Sequence, residues 1–143
     1  MTKTKVIIGI DPDVTKSGVA VKGCGGIHLM NLEFFRLFKY LSDLNSTNIH
    51  NIIVYIECGF LNQGNWHKTS GSNSVNAQIG QRTGANHEVA KKIVEMCEYL
   101  NIEHVKVKPT KSKVNDAFFR QITKIEKRTN QEQRDAYMLI HGL

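Results

Sequence analysis

Residues Val6–Asp11 read VIIGID, an apolar run that leads directly into a carboxylate. An unbroken run of β-branched residues is typical of a strand that is buried on both faces. Residues Ile52–Glu57 read IIVYIE and repeat the pattern. Because open α/β sheets bind ligands beyond the carboxyl ends of their strands, both acids are expected at the edge of the sheet where a site would form.

The pattern around these two strands predicts a mixed α/β fold. Strands are predicted over 18–22 and 27–34, a helix over 35–44, a long helix over 75–100, a strand over 103–107, and helices over 114–122 and 131–141. Residues 23–26 (GCGG) predict a tight hairpin turn, and the Asn-, Gly- and Ser-rich residues 61–74 a long mobile loop. Three strands followed by alternating helices and strands predict one domain over 1–143, with a mixed sheet and helices on both faces.

Charge and composition narrow the class of protein. The 143 residues carry a net charge of +6, and this excess lies between residues 104 and 130. The basic residues there are Lys106, Lys108, Lys111, Lys113, Arg120, Lys124, Lys127 and Arg128, against Asp116 and Glu126. Such a stripe fits a polyanion-binding surface, although a solvated helix face without a partner reads the same way. No apolar run reaches 18 residues and no signal peptide is recognisable, so a cytoplasmic protein without a membrane span is expected.

The carboxylates provide the chemical signal. If the strands ending in Asp11 and Glu57 are neighbours, two carboxylates about 5 Å apart repel by roughly 3 kcal/mol at an effective dielectric near 20, unless a proton or a cation intervenes. Each acid could also be no more than the polar end of a strand. The i, i+3 spacing of Glu132 and Asp135 places a second pair on one helix face. Glu132 could instead complete a capping box that begins at Thr129, whereas Asp135 lies in an otherwise apolar stretch.

Four acids without a matching His or Cys set favour an oxygen-ligated ion. Mg²⁺ prefers such ligands, and Mn²⁺ accepts them. Two ions held about 4 Å apart can clamp the attacking and leaving oxygens of a phosphodiester. With a basic flank for the nucleic acid, this set predicts a two-metal nuclease.

Five segments resemble one known family in order and register. They are Ile8–Pro12 with Gly18–Val21, Tyr55–Glu57, Ala77–Gly84, Pro109–Val114 and Glu132–Ala136. The sequence is similar to the RuvC family of Holliday-junction resolvases in the RNase H-like superfamily, in a small phage or mobile-element form. The resemblance implies an RNase H-like fold, in which a three-stranded antiparallel part and parallel strands form one five-stranded sheet flanked by helices.

The resemblance also implies an activity and a site. The expected activity is Mg²⁺-dependent cleavage of four-way junctions or other branched DNA, with two ions per site and 5′-phosphate and 3′-hydroxyl products. The metal and catalytic quartet would be Asp11, Glu57, Glu132 and Asp135. Lys111 would lie near the scissile phosphate, with Lys113 as the alternative. The expected DNA-binding residues are Phe60, Arg82, Lys108, Lys111, Lys113 and Arg120.

Several alternatives remain open from the sequence. Phe60 could stack on an unpaired base or anchor its loop on the core. A homodimer is expected through residues 75–100, where Gly80 and Gly84 share a face. Asp13 stands where the family usually has glycine, and it could assist a metal or form a turn. The rival functions are an RNase H-like nuclease acting on hybrids or flaps, and a protein that binds branched DNA without cutting it.

Overall fold

The described residues form five strands and four helices. A computed structural model describes residues 2–23, 25–62 and 73–143. The strands are β1 (Thr4–Asp11), β2 (Ser17–Gly23), β3 (Gly26–Leu32), β4 (His50–Glu57) and β5 (Glu103–Val107); the helices are α1 (Phe34–Ser46), α2 (Asn73–Tyr99), α3 (Asp116–Thr123) and α4 (Gln131–Met138). A short 3₁₀ turn covers Gly59–Leu61. The predicted turn residue Cys24 and most of the predicted loop, 63–72, lie outside the described residues.

The strands form one mixed sheet in the order β3-β2-β1-β4-β5. Strands β1, β2 and β3 are antiparallel, whereas β4 lies parallel to β1 and β5 parallel to β4. The mixed five-stranded sheet expected from the order of the elements is therefore confirmed. It places the two acid-terminated strands, β1 and β4, side by side at the centre.

Both faces of the sheet are covered, because alternate side chains of a strand point to opposite faces. On one face, Ile8, Ile10 and Val54 pack with helices α1 and α2. On the other face, Ile7 and Ala20 pack with helices α3 and α4. Every residue of β1 from Val6 to Ile10 is buried, as expected of a strand covered on both sides.

Among the helix boundaries that differ from the expected ones are the start of α3 and the end of α4. Helix α3 begins at Asp116 rather than Val114, because the side chain of Asn115 accepts the N–H of Phe118 at 2.8 Å and caps the helix there. Helix α4 ends at Met138 rather than His141, and a turn that includes Gly142 at φ +83° follows it.

A capping box does begin α4, but not the one left open by the sequence for Thr129 and Glu132. Asn130, not Thr129, caps the helix by accepting the N–H of Gln133, whose side chain accepts the N–H of Asn130 in return. Both Asn and Gln suit these positions, so the frame lies one residue later than Thr129–Glu132. Glu132 is therefore not used as a cap.

Within the described part of the chain, no helix combines the length and the apolar character needed to cross a membrane.

Candidate acidic site at the carboxyl edge of the sheet

Asp11 and Glu57 end two adjacent parallel strands. The last paired residues of these strands are Ile10 and Ile56, so the acids that follow are neighbours across the ladder. The side chains alternate, and Asp11 and Glu57 therefore point to the face on which α4 packs. The two acids share one end and one face of the sheet, as expected from the sequence.

Two glycines allow α4 to lie directly on this face. A Cβ atom on Gly9 would collide with the backbone carbonyl of Ala136, and one on Gly18 would collide with that of Glu132. Glycine is required at both positions because the helix backbone occupies the space of a side chain. This close contact carries the first turns of α4, with Glu132 and Asp135, to the end of β1.

The pKa values report how closely the four acids converge. Burial is the largest of the causes that raise the pKa of Asp11 to about 8; the negative charges of Glu57, Asp135 and Glu132 contribute to the rise, and Lys113 opposes it. Burial also raises the pKa of Glu57, aided by Asp135 and opposed by Lys113. All four predicted acids thus share one electrostatic environment, in which negative charge exceeds positive charge.

Lys113 is the cation within this cluster. Its Nζ donates to Oδ2 of Asp135 at 2.7 Å, while Oδ1 of Asp135 accepts the side-chain amide of Gln131 at 2.8 Å. Burial lowers the pKa of Lys113, but the hydrogen bond to Asp135 and the surrounding carboxylate charges outweigh it and leave the pKa above its ordinary value. Lys111, the first choice for the basic residue, lines the same cleft with an exposed side chain.

Arg134 was missed by the sequence reasoning, although it holds Lys113 in place. This buried guanidinium donates to the carbonyls of Val114 at 2.9 Å and Thr129 at 2.8 Å, and to Oε1 of Gln131 at 3.2 Å. It therefore ties the segment that carries Lys113 to the first turn of α4. The sequence carried no clear signal for this role, because Gln133 and Asp135 on either side of Arg134 are also polar.

The acids line a cleft of about 920 Å³ between the edge of the sheet and helix α2. Its wall includes the four acids with Lys111 and Lys113, and helix α2 contributes Arg82, Asn86 and His87. Phe60, Lys108 and Arg120 do not line it. Phe60 is half-buried against the core with Nζ of Lys91 5.6 Å from its ring centre, Lys108 is exposed, and Arg120 pairs with Asp116 at 2.9 Å. The binding roles of these three residues stay predictions.

Asp13 forms a turn and an ion pair. Its Oδ2 accepts the N–H of Thr15 at 2.9 Å, and both of its carboxylate oxygens lie 3.0 Å from Nη2 of Arg82. Burial raises the pKa of Asp13, but the hydrogen bonds from Thr15 and Arg82 outweigh it, so the pKa lies below its ordinary value. Of the two roles open to Asp13, the turn former is the one seen, and Arg82 is engaged by it.

The fit of a divalent ion follows from donor type and charge. The cluster offers oxygen ligands only, and its excess negative charge would be relieved by a cation. Over the described ranges, however, no three acidic, His or Cys side chains stand close enough together to hold one ion as they are. The residues therefore fit Mg²⁺ or Mn²⁺ in the chemistry of their donors, although their present spacing does not form a ligand cluster.

The class of fold follows from the sheet. Three antiparallel strands continued by two parallel ones, with helices on both faces, are the RNase H-like fold.

RuvC from Thermus thermophilus, solved in complex with a Holliday junction substrate, aligns at a TM-score of 0.52 and 13% identity, over 94% of this chain and 89% of that one. A second T. thermophilus RuvC structure aligns over 94% of this chain and 90% of that one, with 14% identity and a TM-score of 0.47. The sequence matches no protein-family model and no curated protein. The implied RNase H-like fold is therefore confirmed, and the activity rests on the site.

Proposed function

We propose that the protein is a divalent-metal-dependent endodeoxyribonuclease that cuts branched DNA, with four-way junctions as its substrate. The observation that carries this proposal is the convergence of four carboxylates around one lysine at the carboxyl edge of an RNase H-like sheet. Excess negative charge of this kind destabilises a fold unless a bound cation balances it. Oxygen donors favour hard divalent cations.

The proposed role of each residue follows from its position in the site. Asp11 and Glu57, fixed on the central strands, would hold the ions together with Glu132 and Asp135 of α4. Mg²⁺, or Mn²⁺ in its place, supplies the acidification of water and the stabilisation of the leaving oxygen. Lys113 would neutralise charge on the phosphate, with Lys111 beside it on the wall of the cleft.

DNA binding is supported by the basic side chains in and beside the cleft. Lys111 and Lys113 lie on the wall of the cleft, Lys108 precedes them at the end of β5, and Arg82 faces them from α2. Contacts of Lys and Arg with phosphates release counterions, so affinity should fall steeply with salt. The RuvC structure with TM-score 0.52 was solved with a Holliday junction, which is the reason for choosing that substrate first.

A homodimer is part of the proposal. A four-way junction presents two symmetric strands, and two copies of one site would cut both. Helix α2 is the proposed interface, and Gly84 on that helix has open space around the position of its missing side chain. Phe60 is proposed to stack on an unpaired base, a contact typically worth about 1–3 kcal/mol.

The test is a Mg²⁺ titration with an end-labelled four-way junction. We expect paired nicks with 5′-phosphate and 3′-hydroxyl ends from the wild type, and none from Asp11→Asn or Asp135→Asn. Asp43→Asn is the matched control, because it removes the same charge from the exposed pair with Lys39 on α1.

Each other outcome has a distinct meaning. Cleavage of an RNA–DNA hybrid or a flap in preference to the junction would transfer the same chemistry to a different substrate. Tight junction binding without cleavage at any Mg²⁺ or Mn²⁺ concentration would make the protein a binder of branched DNA. Equal cleavage by the wild type and Asp135→Asn would remove Asp135 from the site.

A further inference from the structure

The ion pair between Asp13 and Arg82 connects the two walls of the cleft. Asp13 lies on the loop between β1 and β2, and Arg82 lies on α2, 69 residues further along the chain. Asn86, one turn after Arg82, strengthens the connection, because its Oδ1 accepts the N–H of Val14 at 2.9 Å and its Nδ2 lies 3.4 Å from Asp13.

The two partners are held unequally. The carboxylate of Asp13 is 15% exposed and is fixed by the backbone N–H groups of Thr15 and Lys16 as well as by α2. The side chain of Arg82 is 57% exposed. A guanidinium on a flexible stem can exchange one oxyanion for another, whereas a carboxylate anchored in a turn cannot follow it.

The charges that line the cleft determine how readily Arg82 exchanges Asp13 for a phosphate. The described residues lining it include five carboxylates and three cationic side chains, and two of the cations, Arg82 and Lys113, are each paired with an acid. DNA phosphate entering the cleft therefore meets an arginine that already holds an oxyanion. An arginine binds a carboxylate and a phosphate with the same N–H donors, so the two compete for it.

We propose that Asp13 is an intramolecular competitor of the DNA backbone for Arg82, and that it limits the affinity of the cleft for phosphate. This inference rests on the proposed DNA-binding function, but it does not depend on cleavage. Arg82 is the binding residue in this scheme, and Asp13 sets how much of its charge is available.

The experiment is a set of equilibrium titrations with a four-way junction and with a linear duplex of the same length, with Ca²⁺ in place of Mg²⁺, across a range of salt. The variants are Asp13→Asn, Asp13→Ser, Arg82→Gln and the Asp13→Asn/Arg82→Gln double variant. Asn and Ser are uncharged residues that favour turns, so the loop keeps its local hydrogen bonds. Asp43→Asn is the charge-matched control, because it removes one exposed carboxylate from the distant pair with Lys39.

We expect Asp13→Asn and Asp13→Ser to bind DNA about three- to fivefold more tightly than the wild type, as the loss of one partly exposed ion pair implies. The slope of log affinity against log salt should steepen by about one, because Arg82 gains one phosphate contact. In the Arg82→Gln background, Asp13→Asn should change affinity no more than Asp43→Asn does.

Two results would overturn the inference. One is an increase in DNA affinity from Asp13→Asn no larger than that from Asp43→Asn. The other is an increase in DNA affinity from Asp13→Asn that persists in the Arg82→Gln background, which would indicate a general charge effect. Failure of the proposed function would give different results: the wild type would bind the junction and the duplex with equal affinity, or it would not cleave DNA with Mg²⁺. The gain from Asp13→Asn can be measured on the duplex in either case. A protein that binds neither DNA overturns both proposals.

Discussion

The ammonium of Lys113 lies 2.7 Å from Oδ2 of Asp135, at the point where strands β1 and β4 deliver two further acids. One lysine thus faces the carboxylates of Asp11, Glu57 and Asp135 together. Lys113 lies on a loop and Asp135 on helix α4, and only the fold brings the two together. The stability of the site and its proposed chemistry therefore depend on the same contact.

Replacing Lys113 with Gln should destabilise the metal-free protein and increase its response to metal. Removing the lysine deprives Asp135 of its paired cation, at a cost of about 1 kcal/mol because Lys113 is half exposed to solvent. Urea denaturation in chelator and in Mg²⁺ measures both effects. Lys39→Gln, which breaks the exposed pair with Asp43, is the control and should change neither. An unchanged Mg²⁺ response in Lys113→Gln would separate Lys113 from the ion site.

Replacing Asp11 with Asn should remove a pH dependence of stability in the metal-free protein. The pKa of Asp11 rises from 3.8 to about 8 on folding, so between these values the folded state binds more protons than the unfolded state. The free energy of unfolding should therefore fall as the pH rises from about 4 to about 8. Asp11→Asn should flatten this fall and raise stability at pH 8, while abolishing cleavage.

Thermal unfolding across that pH range, in chelator, measures the effect. Asp43→Asn should keep the wild-type slope. A slope as steep in Asp11→Asn as in the wild type would assign the pH dependence to other groups.

Replacing Gly18 with Ala should separate α4 from the sheet. The added methyl group collides with the backbone carbonyl of Glu132, which cannot move without the helix, and overpacking of this kind costs about 1–3 kcal/mol. Metal affinity should fall with stability, since Glu132 and Asp135 move away from Asp11. Calorimetric Mg²⁺ titration and denaturation measure the two losses.

Gly84→Ala is the matched control for this change. Gly84 lies in α2 with no atom within 4 Å of the place that a Cβ would occupy, so within one protomer alanine should stabilise the helix by about 1 kcal/mol. If Gly18→Ala proves as stable as Gly84→Ala, with unchanged metal affinity, the close contact between α4 and β2 does not matter to the site.

Replacing Arg134 with Met should release the segment that carries Lys113. The buried guanidinium donates to Val114, Thr129 and Gln131, and its loss leaves those acceptors unpaired, at a cost of about 2–4 kcal/mol. Arg120→Met, which removes an exposed arginine from the pair with Asp116, should cost less than about 1 kcal/mol. Denaturation midpoints compare the two, and equal losses would contradict an anchoring role for Arg134.

Much of the fold could be predicted because the signals are local. The strand over 103–107 was predicted with its observed bounds, and β1 and β4 followed from apolar runs that only a doubly covered strand buries. The placement of Asp11 and Glu57 at one edge followed from strand direction alone. The residue that caps α4 could not be predicted, because Thr129 and Asn130 are both acceptable caps and the choice between them depends on contacts beyond the helix.

The amino-acid sequence alone indicated the residues to which the proposed chemistry is assigned: acids at the ends of buried strands, a second acidic pair on a helix and a basic segment before it. Tertiary structure decided which of them meet. It brought α4 onto Gly9 and Gly18, set Lys113 rather than Lys111 against Asp135, and joined Asp13 to Arg82. The physical reason is range. Backbone preferences act over a few residues, whereas these contacts join residues 22 to 127 positions apart, and only the packing of the whole chain places them within a few ångströms.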